Sequence, residues 1–167
     1  MSIRFKKILF LKLSKIFLTF LIIIVFTISE NLKAENITGS KTYDTDTNNT
    51  QYIFTEDDAS AVVTGNTTLE RSRKLFILND SERTGNTLTI HFGSTVSTTT
   101  NSNTIFTDGA ELTIVNSGTI NSDSSKAINV SNSDGVSITN NNKGVIKSNN
   151  NTILGDAGSG AVNTTIN

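Results

Sequence analysis

The sequence predicts an all-β fold: a right-handed single-stranded parallel β-helix with coils of about 24 residues, preceded by a helical signal peptide. Three observations predict the β-helix. Apolar residues recur at intervals close to 24, each repeat holds three short runs of alternating apolar and polar residues, and clusters of Asn, Ser and Gly separate these runs. The chain also has no Pro, which leaves every backbone N–H free to bond in a ladder between strands.

Residues 1–34 have the organisation of a secretory signal peptide. Residues 1–15 carry five Lys or Arg, residues 16–28 carry no charge, and the segment ends on the small residue Ala34. We expect cleavage between Ala34 and Glu35. The alternative is an uncleaved membrane anchor. Thirteen apolar residues of helix rise only about 20 Å, which is short of the roughly 30 Å hydrocarbon core.

The repeats predict which residues share a buried ladder. Equivalent positions in successive coils of a parallel β-helix stack about 4.8 Å apart, so residues one repeat apart should be neighbours. The intervals align four sets: Leu88, Leu112 and Val136; Ile90, Ile114 and Ile138; Val96, Ile120 and Ile146; and Ile105, Ile128 and Ile153.

The three runs of one repeat, such as Leu112-Thr-Ile114, Gly118-Thr-Ile120 and Ala127-Ile128-Asn-Val130, predict three strands with one buried face each. Roughly five coils would form a rod about 25 Å long. The alternative is a polar low-complexity tail that never folds, and the phased apolar positions argue against it.

The rest of the chain divides into two parts. Residues 35–84 keep little of the repeat interval, and we predict that they form an N-terminal cap of the solenoid, because the first coil of a repeat protein has an exposed edge. Residues 85–167 hold the β-helix repeats, which stop partway through a unit and are interpreted as truncated at the C-terminus. Within the cap, Glu56, Asp57 and Asp58 are either a metal cluster or, because they follow Thr55, the start of a short helix, and we predict a helix over 56–63.

Composition excludes several classes of function. Residues 35–167 hold 8 basic and 14 acidic residues, so we expect no nucleic acid partner, because a phosphate backbone needs a basic surface. The chain has no Cys, which excludes disulfides, thiolate metal sites and a cysteine nucleophile. It has a single His, which excludes a multi-histidine metal site within one chain.

Two segments carry residues of candidate binding sites. Asp44, Asp46 and Asn48 resemble the start of a calcium loop, but Asn49 and Thr55 stand where that loop needs Gly and Glu, so we interpret the segment as an Asx-rich turn. The basic cluster Arg71, Arg73 and Lys74 is either a solvated face of the cap or a contact for lipopolysaccharide or an acidic glycan.

The remaining candidates do not assemble a catalytic site. His91 follows Ile90 in an alternating strand and should point outward, and the chain has no G-x-S-x-G motif to supply a nucleophile. The acids of the repeats fall at predicted turns rather than on one ladder: Asp108, Glu111, Asp123, Asp134 and Asp156. We therefore predict a protein that is not an enzyme, with no catalytic, cofactor-binding or metal-binding residues and no cofactor.

A family resemblance follows from the signal peptide together with the repeats. The long basic n-region, the Cys-free body rich in Asn, Thr, Ser and Gly, and units such as LTIVNSGTI resemble passenger domains of autotransporters, the type V secreted proteins of Gram-negative bacteria. The resemblance implies export by the Sec machinery, a location at the cell surface, in the outer membrane or outside the cell, and a C-terminal outer-membrane barrel that this sequence lacks.

Two functions fit this resemblance. The first is a surface-exposed or secreted passenger stalk with a structural or adhesive role, contacting glycans or proteins of a host or neighbouring cell. The alternative is a secreted β-helix enzyme that acts on polysaccharide, a class that clusters Asp or basic residues across neighbouring coils. The outward positions predicted here are mainly Thr, Asn and Ser, which favours the stalk.

The first testable prediction concerns export. Residues 1–34 should direct transport and then be removed, because the basic start and the uncharged run match what signal peptidase substrates require. Mass spectrometry of the exported product should find Glu35, or a residue within a few positions of it, at the N-terminus. Recovery of the intact chain from the inner membrane would contradict the prediction.

Overall fold

The computed structural model describes residues 33–80, 82–133, 135–155 and 165–166. The predicted signal peptide lies outside these ranges except for Lys33 and Ala34, and so do Asp134 and Asp156. The described residues from Ala34 onward form one compact unit. The described part of the chain is built of strands and connecting turns, and it holds no helix long and apolar enough to cross a membrane.

Seventeen strands of the described chain form three parallel sheets, named here sheets A, B and C. Sheet A contains β1 (Ala34–Ile37), β4 (Gln51–Phe54), β7 (Phe76–Leu78), β10 (Ile105–Asp108), β13 (Ile128–Ser131) and β16 (Ile153–Gly155). Sheet B contains β2 (Ser40–Tyr43), β5 (Ser60–Val63), β8 (Asn86–Ile90), β11 (Leu112–Asn116), β14 (Ser137–Asn140) and β17 (Thr165–Ile166). Sheet C contains β3 (Thr47–Asn48), β6 (Thr68–Arg71), β9 (Thr95–Thr98), β12 (Thr119–Ser122) and β15 (Val145–Ser148).

The chain visits the three sheets in turn, so every third strand lies beside its predecessor. This arrangement confirms the predicted β-solenoid. Three columns of turns join the sheets, and we call them the A–B, B–C and C–A corners after the strands that they connect. Because every pairing is parallel, each corner runs along the same ends of all the strands that it joins.

The predicted cap, residues 35–84, contributes strands to all three sheets. Coil length varies along this part of the chain: Ala34 pairs with Gln51, whereas Phe76 pairs with Ile105, so the first of these coils is much the shorter. Corners of unequal length absorb the difference. This variation hides the repeat from a search for a constant interval, although the strands stack in register.

Alternating side chains fill the interior. Odd and even positions of each strand point to opposite faces, and the inward set forms one continuous hydrophobic core. Two of the predicted ladders are confirmed by the strand register: Val96 pairs with Ile120 and then Ile146, and Ile105 pairs with Ile128 and then Ile153.

The predicted ladder of Ile90, Ile114 and Ile138 is wrong at its first step. Ile114 pairs with Ile138 as predicted, but the residue before it in the column is Leu88, and Ile90 pairs with Asn116. The observed register differs from the predicted one by two residues, which is one full period of the inward and outward alternation of a strand. Such a displacement keeps every side chain on the same face, so Ile90 is still fully buried.

The predicted ladder that begins at Leu88 is wrong at the same step. Leu112 pairs with Asn86 rather than with Leu88, because both predicted ladders pass from β8 to β11, where the register is displaced. Leu88 and Leu112 are nevertheless both buried, so the core contains the predicted residues in a displaced order.

The helix predicted over 56–63 is also wrong. Residues 56–58 lie in a turn in which Asp58 has a left-handed φ of 53°, and Ser60–Val63 is strand β5. Asp57 Oδ1 accepts a hydrogen bond from the backbone N–H of Thr84 at 3.2 Å, so this carboxylate bonds a backbone group of the next coil rather than one at a helix N-terminus. Pairing of β5 with strands on both sides outweighs a local preference for a single helical turn.

Buried polar side chains line the corners. Asn116 is fully buried, its Nδ2 donates to Asn140 Oδ1 at 2.8 Å, and its Oδ1 accepts from the Gly118 N–H at 3.2 Å. At the C–A corner the hydroxyl of Thr98 lies 2.9 Å from that of Thr104 and 3.3 Å from that of Ser122. These bonds satisfy polar groups that burial would otherwise leave without partners.

An aromatic stack fills the interior of the first coils. The rings of Tyr43 and Tyr52 lie 4.6 Å apart, and Tyr52 stacks on Phe76 at 5.1 Å. The Tyr43 hydroxyl donates to Glu35 Oε1 at 3.3 Å, and Lys41 forms an ion pair with the same oxygen at 3.1 Å. Burial and, after it, the charge of Glu35 raise the pKa of Tyr43 above its ordinary value, and burial also raises the pKa of Tyr52.

The core register can be tested with a matched pair of substitutions on β11. Ile114→Asp places a carboxylate between Leu88 and Ile138, which should cost several kcal/mol and lower the melting temperature by about 10 °C or more. Thr113→Asp puts the same charge on the exposed side of the same strand and should cost about 0.5 kcal/mol or less. Thermal melts followed by circular dichroism distinguish the two, and equal melting temperatures would contradict the register.

The tyrosine stack predicts loss of stability at alkaline pH. Folding favours the neutral phenols, so their contribution to stability is complete below the unfolded pKa of about 10 and is lost as the pH rises above it. Since the chain has two Tyr and no Trp, phenolate absorbance reports these two rings directly. Ionisation should coincide with unfolding, and Tyr52→Phe should extend the stable range upward. Ionisation at an ordinary pKa in the folded chain would contradict the burial of both rings.

Candidate binding surface

The outer faces of the three sheets differ in the columns of side chains that they present. Sheet B carries β-branched and hydroxyl residues, in the paired column Thr42, Val62, Thr89, Val115 and Thr139. Sheet C carries the column Thr68, Thr95, Thr119 and Val145. Sheet A carries Asn36, Ile53, Ile77 and Phe106, and the next residue in the column, Asn129, is only 7% exposed. Among the described residues, sheet A therefore has the outward column with the largest apolar side chains.

Ile53, Ile77 and Phe106 form what we call the apolar column. They belong to β4, β7 and β10, and the parallel register places each directly beside the next. All three are partly exposed, whereas their strand neighbours Phe54, Leu78 and Ile105 are buried in the core. The Lys74 ammonium lies over the Phe106 ring, 3.3 Å from its centre, in a cation–π contact with this member of the column.

The A–B corner is strongly acidic. It carries seven carboxylates in the described part of the chain and one guanidinium, that of Arg83, whose Nε lies 3.0 Å from Asp80 Oδ2 and whose Nη1 lies 3.8 Å from Asp57 Oδ1. We call this column of turns the acidic edge, and its carboxylates are Glu56, Asp57, Asp58, Asp80, Glu82, Asp108 and Glu111.

The C–A corner carries the opposite sign. Arg73, Lys74 and Lys126 line it, with Asp123 as the one described carboxylate in its turns, and we call these three cations the basic edge. Burial lowers the pKa of Lys74, and the charge of Asp108 partly opposes that effect. The basic edge follows the N-terminal ends of the sheet A strands, and the acidic edge follows their C-terminal ends.

The predicted basic cluster of Arg71, Arg73 and Lys74 does not form one exposed patch. Arg71 is 6% exposed, and its Nη1 donates to the Lys74 carbonyl oxygen at 2.7 Å. Burial and, to a smaller extent, the charge of Arg73 lower the pKa of Arg71. The Arg71 side chain therefore lies inside the C–A corner. Of the three residues in the predicted cluster, Arg73 and Lys74 are the two that present charge to a partner.

The other candidate residues are structural or isolated. Asp46 Oδ1 accepts from the Thr68 N–H at 2.6 Å, which fits the Asx-rich turn, and the described residues contain no cluster of three potential metal ligands. His91 is exposed, as predicted, with Nδ1 3.1 Å from the Thr64 hydroxyl. Asp108 accepts from Asn132 and Asp123 from Asn121, at two different corners.

Phe92 is an exposed aromatic residue that the apolar periodicity did not reveal. It lies at the B–C corner with 65% of its surface exposed, and the Lys143 ammonium lies 4.7 Å from its ring centre. The interruption of strand alternation at Gly93 was the available signal, since a residue in a turn follows no inward or outward pattern.

No protein family model, curated protein or solved structure matches this chain.

Proposed function

We propose that this chain is the passenger stalk of an autotransporter, exposed at the surface of a Gram-negative bacterium or secreted from it, with a structural and adhesive role. The observation that carries the proposal is the continuous register of the three sheets, which turns a short repeat into a long surface of aligned columns. The outward columns of sheets B and C offer a partner β-branched side chains, mostly Thr, at successive coils about 4.8 Å apart.

Repetition suits adhesion better than it suits catalysis. Single contacts through Thr, Ser or Asn are weak, but several engaged together raise the overall affinity through a high effective concentration. The outward columns of sheets B and C consist mainly of such residues. Glycans and proteins of a host or neighbouring cell are the partners that this surface fits, since both offer hydrogen-bonding groups at repeated intervals.

The composition supports a route through the Sec machinery. Residues 1–28 supply the basic and apolar regions that a signal peptide needs, and the absence of Cys means that no disulfide can lock the chain before it leaves the oxidising periplasm. The solenoid needs no metal or disulfide for its core, because apolar ladders and hydrogen-bonded corners fill the interior.

Surface exposure can be measured on intact cells that express the native gene with an epitope inserted between Asn141 and Asn142. Both residues are exposed at the B–C corner, so the insertion should not disturb the sheets. We expect antibody binding to intact cells and its loss after mild protease treatment. A matched pair of variants tests the route: Ile22→Arg with Ile24→Arg should abolish the signal, and Ile22→Leu with Ile24→Leu should keep it.

The adhesive role is tested on the same cells. Cells that display the epitope should bind to glycan-coated surfaces or to other cells more strongly than cells carrying the paired arginine substitutions. An epitope that antibody reaches only after lysis would contradict the surface location. Display without any gain in binding would contradict the adhesive role and leave a structural stalk.

A further inference from the structure

We propose that the outer face of sheet A binds a second copy of this chain, in a symmetric dimer whose two solenoid axes run parallel. The face has an apolar centre, a basic edge on one side and an acidic edge on the other. This inference goes beyond the proposed function and does not depend on export, since it follows from the charges and side chains of one face.

The apolar column makes it favourable for a partner to cover this face, because apolar surface is then removed from water. Ile53, Ile77 and Phe106 stand in line across three neighbouring coils, so the apolar surface is a continuous strip rather than scattered side chains. In a symmetric dimer the same strip comes from both partners and packs against itself about the two-fold axis. The charged edges then form the rim, which is the usual arrangement of a protein interface.

The charges fix the orientation of the second copy. If the two-fold axis runs along the solenoid, rotation exchanges left and right, so the basic edge of each copy faces the acidic edge of the other. If the axis runs across the solenoid, rotation leaves left and right unchanged, and each edge faces an edge of its own sign. Opposite charges attract and like charges repel across an interface, so the parallel dimer is favoured and the antiparallel one is not.

The most closely matched opposite charges flank a single strand of sheet A, β7. Arg73 and Lys74 precede β7, separated from it by Leu75, and Asp80 and Glu82 follow it. In the parallel dimer the residues before β7 of one copy therefore face those after β7 of its partner. Arg73 and Glu82 are both exposed, which leaves these two charges available to a partner.

The size of the face predicts a weak dimer. The outward positions of β1, β4, β7 and β10 are exposed or partly exposed, whereas Asn129 on β13 is buried. Four strands stacked about 4.8 Å apart, each with its flanking corners spanning roughly 20 Å, give about 400 Å² per copy and about 800 Å² in total. That area is smaller than the area of most stable interfaces and fits a weak one. We expect micromolar association that weakens with ionic strength, because the rim pairs are screened by salt.

Cysteine cross-linking of the full chain in a non-ionic detergent tests the orientation, since the native chain has no Cys. Asn36→Cys, near one end of the sheet A column, and Ile77→Cys, near its middle, should each give a disulfide-linked dimer. Thr89→Cys, in the outward column of sheet B, is the control and should not. Cross-linking through Ile77 without cross-linking through Asn36 indicates an antiparallel dimer and overturns the proposal, and so does equal cross-linking at all three positions.

A charge exchange tests the rim by sedimentation of the same preparation. Arg73→Glu and Glu82→Lys should each weaken dimerisation by about tenfold, and the double variant should restore it, because the exchanged charges again face each other. Lys147→Glu, on the outer face of sheet C, should change little. If net charge alone governed association, Lys147→Glu would weaken it as much as Arg73→Glu does, because each substitution changes the formal net charge of the chain from −1 to −3. That result, failure of rescue, or a monomer at low salt would each overturn the proposal.

Discussion

The stacking of each strand on the strands of the coils before and after it is the constraint on which the structure depends. A strand with a parallel neighbour on each side bonds its backbone N–H and C=O groups in a fixed register, so a coil has to return to the same position before the next can add. Side-chain chemistry is then free to vary on the outside and constrained inside. The outward columns, the corner ladders and the two charged edges all follow from this one requirement.

The intervals between apolar residues predicted the solenoid and much of its core, because a buried position recurs once per coil. They were sufficient for Ile105, Ile128 and Ile153, where successive coils are nearly equal in length. They failed between Ile90 and Ile114. A displacement by one full alternation changes no side chain from inside to outside, so hydrophobicity cannot distinguish the two registers.

The corners decided that register. Asn86 Oδ1 accepts from the Ala59 N–H of the preceding coil at 3.2 Å at the A–B corner, and Asn116 Oδ1 accepts from the Gly118 N–H of its own coil at 3.2 Å at the B–C corner. Each asparagine thus occupies an end of its strand, which aligns Asn86 with Leu112 and Asn116 with Ile90. The corner that follows β11 is shorter than the corner that follows β8. The strands after these two corners, β12 and β9, therefore pair at the interval that the repeats predict. Side-chain bonds to the turn backbone cannot be derived from a periodicity of apolar positions.

The charged edges were hidden in the sequence for a related reason. The acids at 56–58, 80–82 and 108–111 were visible as separate turns, but corners of unequal length prevented their alignment in one column. Once the register is known, parallel strands place every A–B turn at the same ends of sheet A and every C–A turn at the opposite ends. A face built this way has a fixed left and right, which an antiparallel sheet, whose turns alternate between its two ends, does not provide. Partner orientation on such a face is therefore determined by topology before any individual contact is considered.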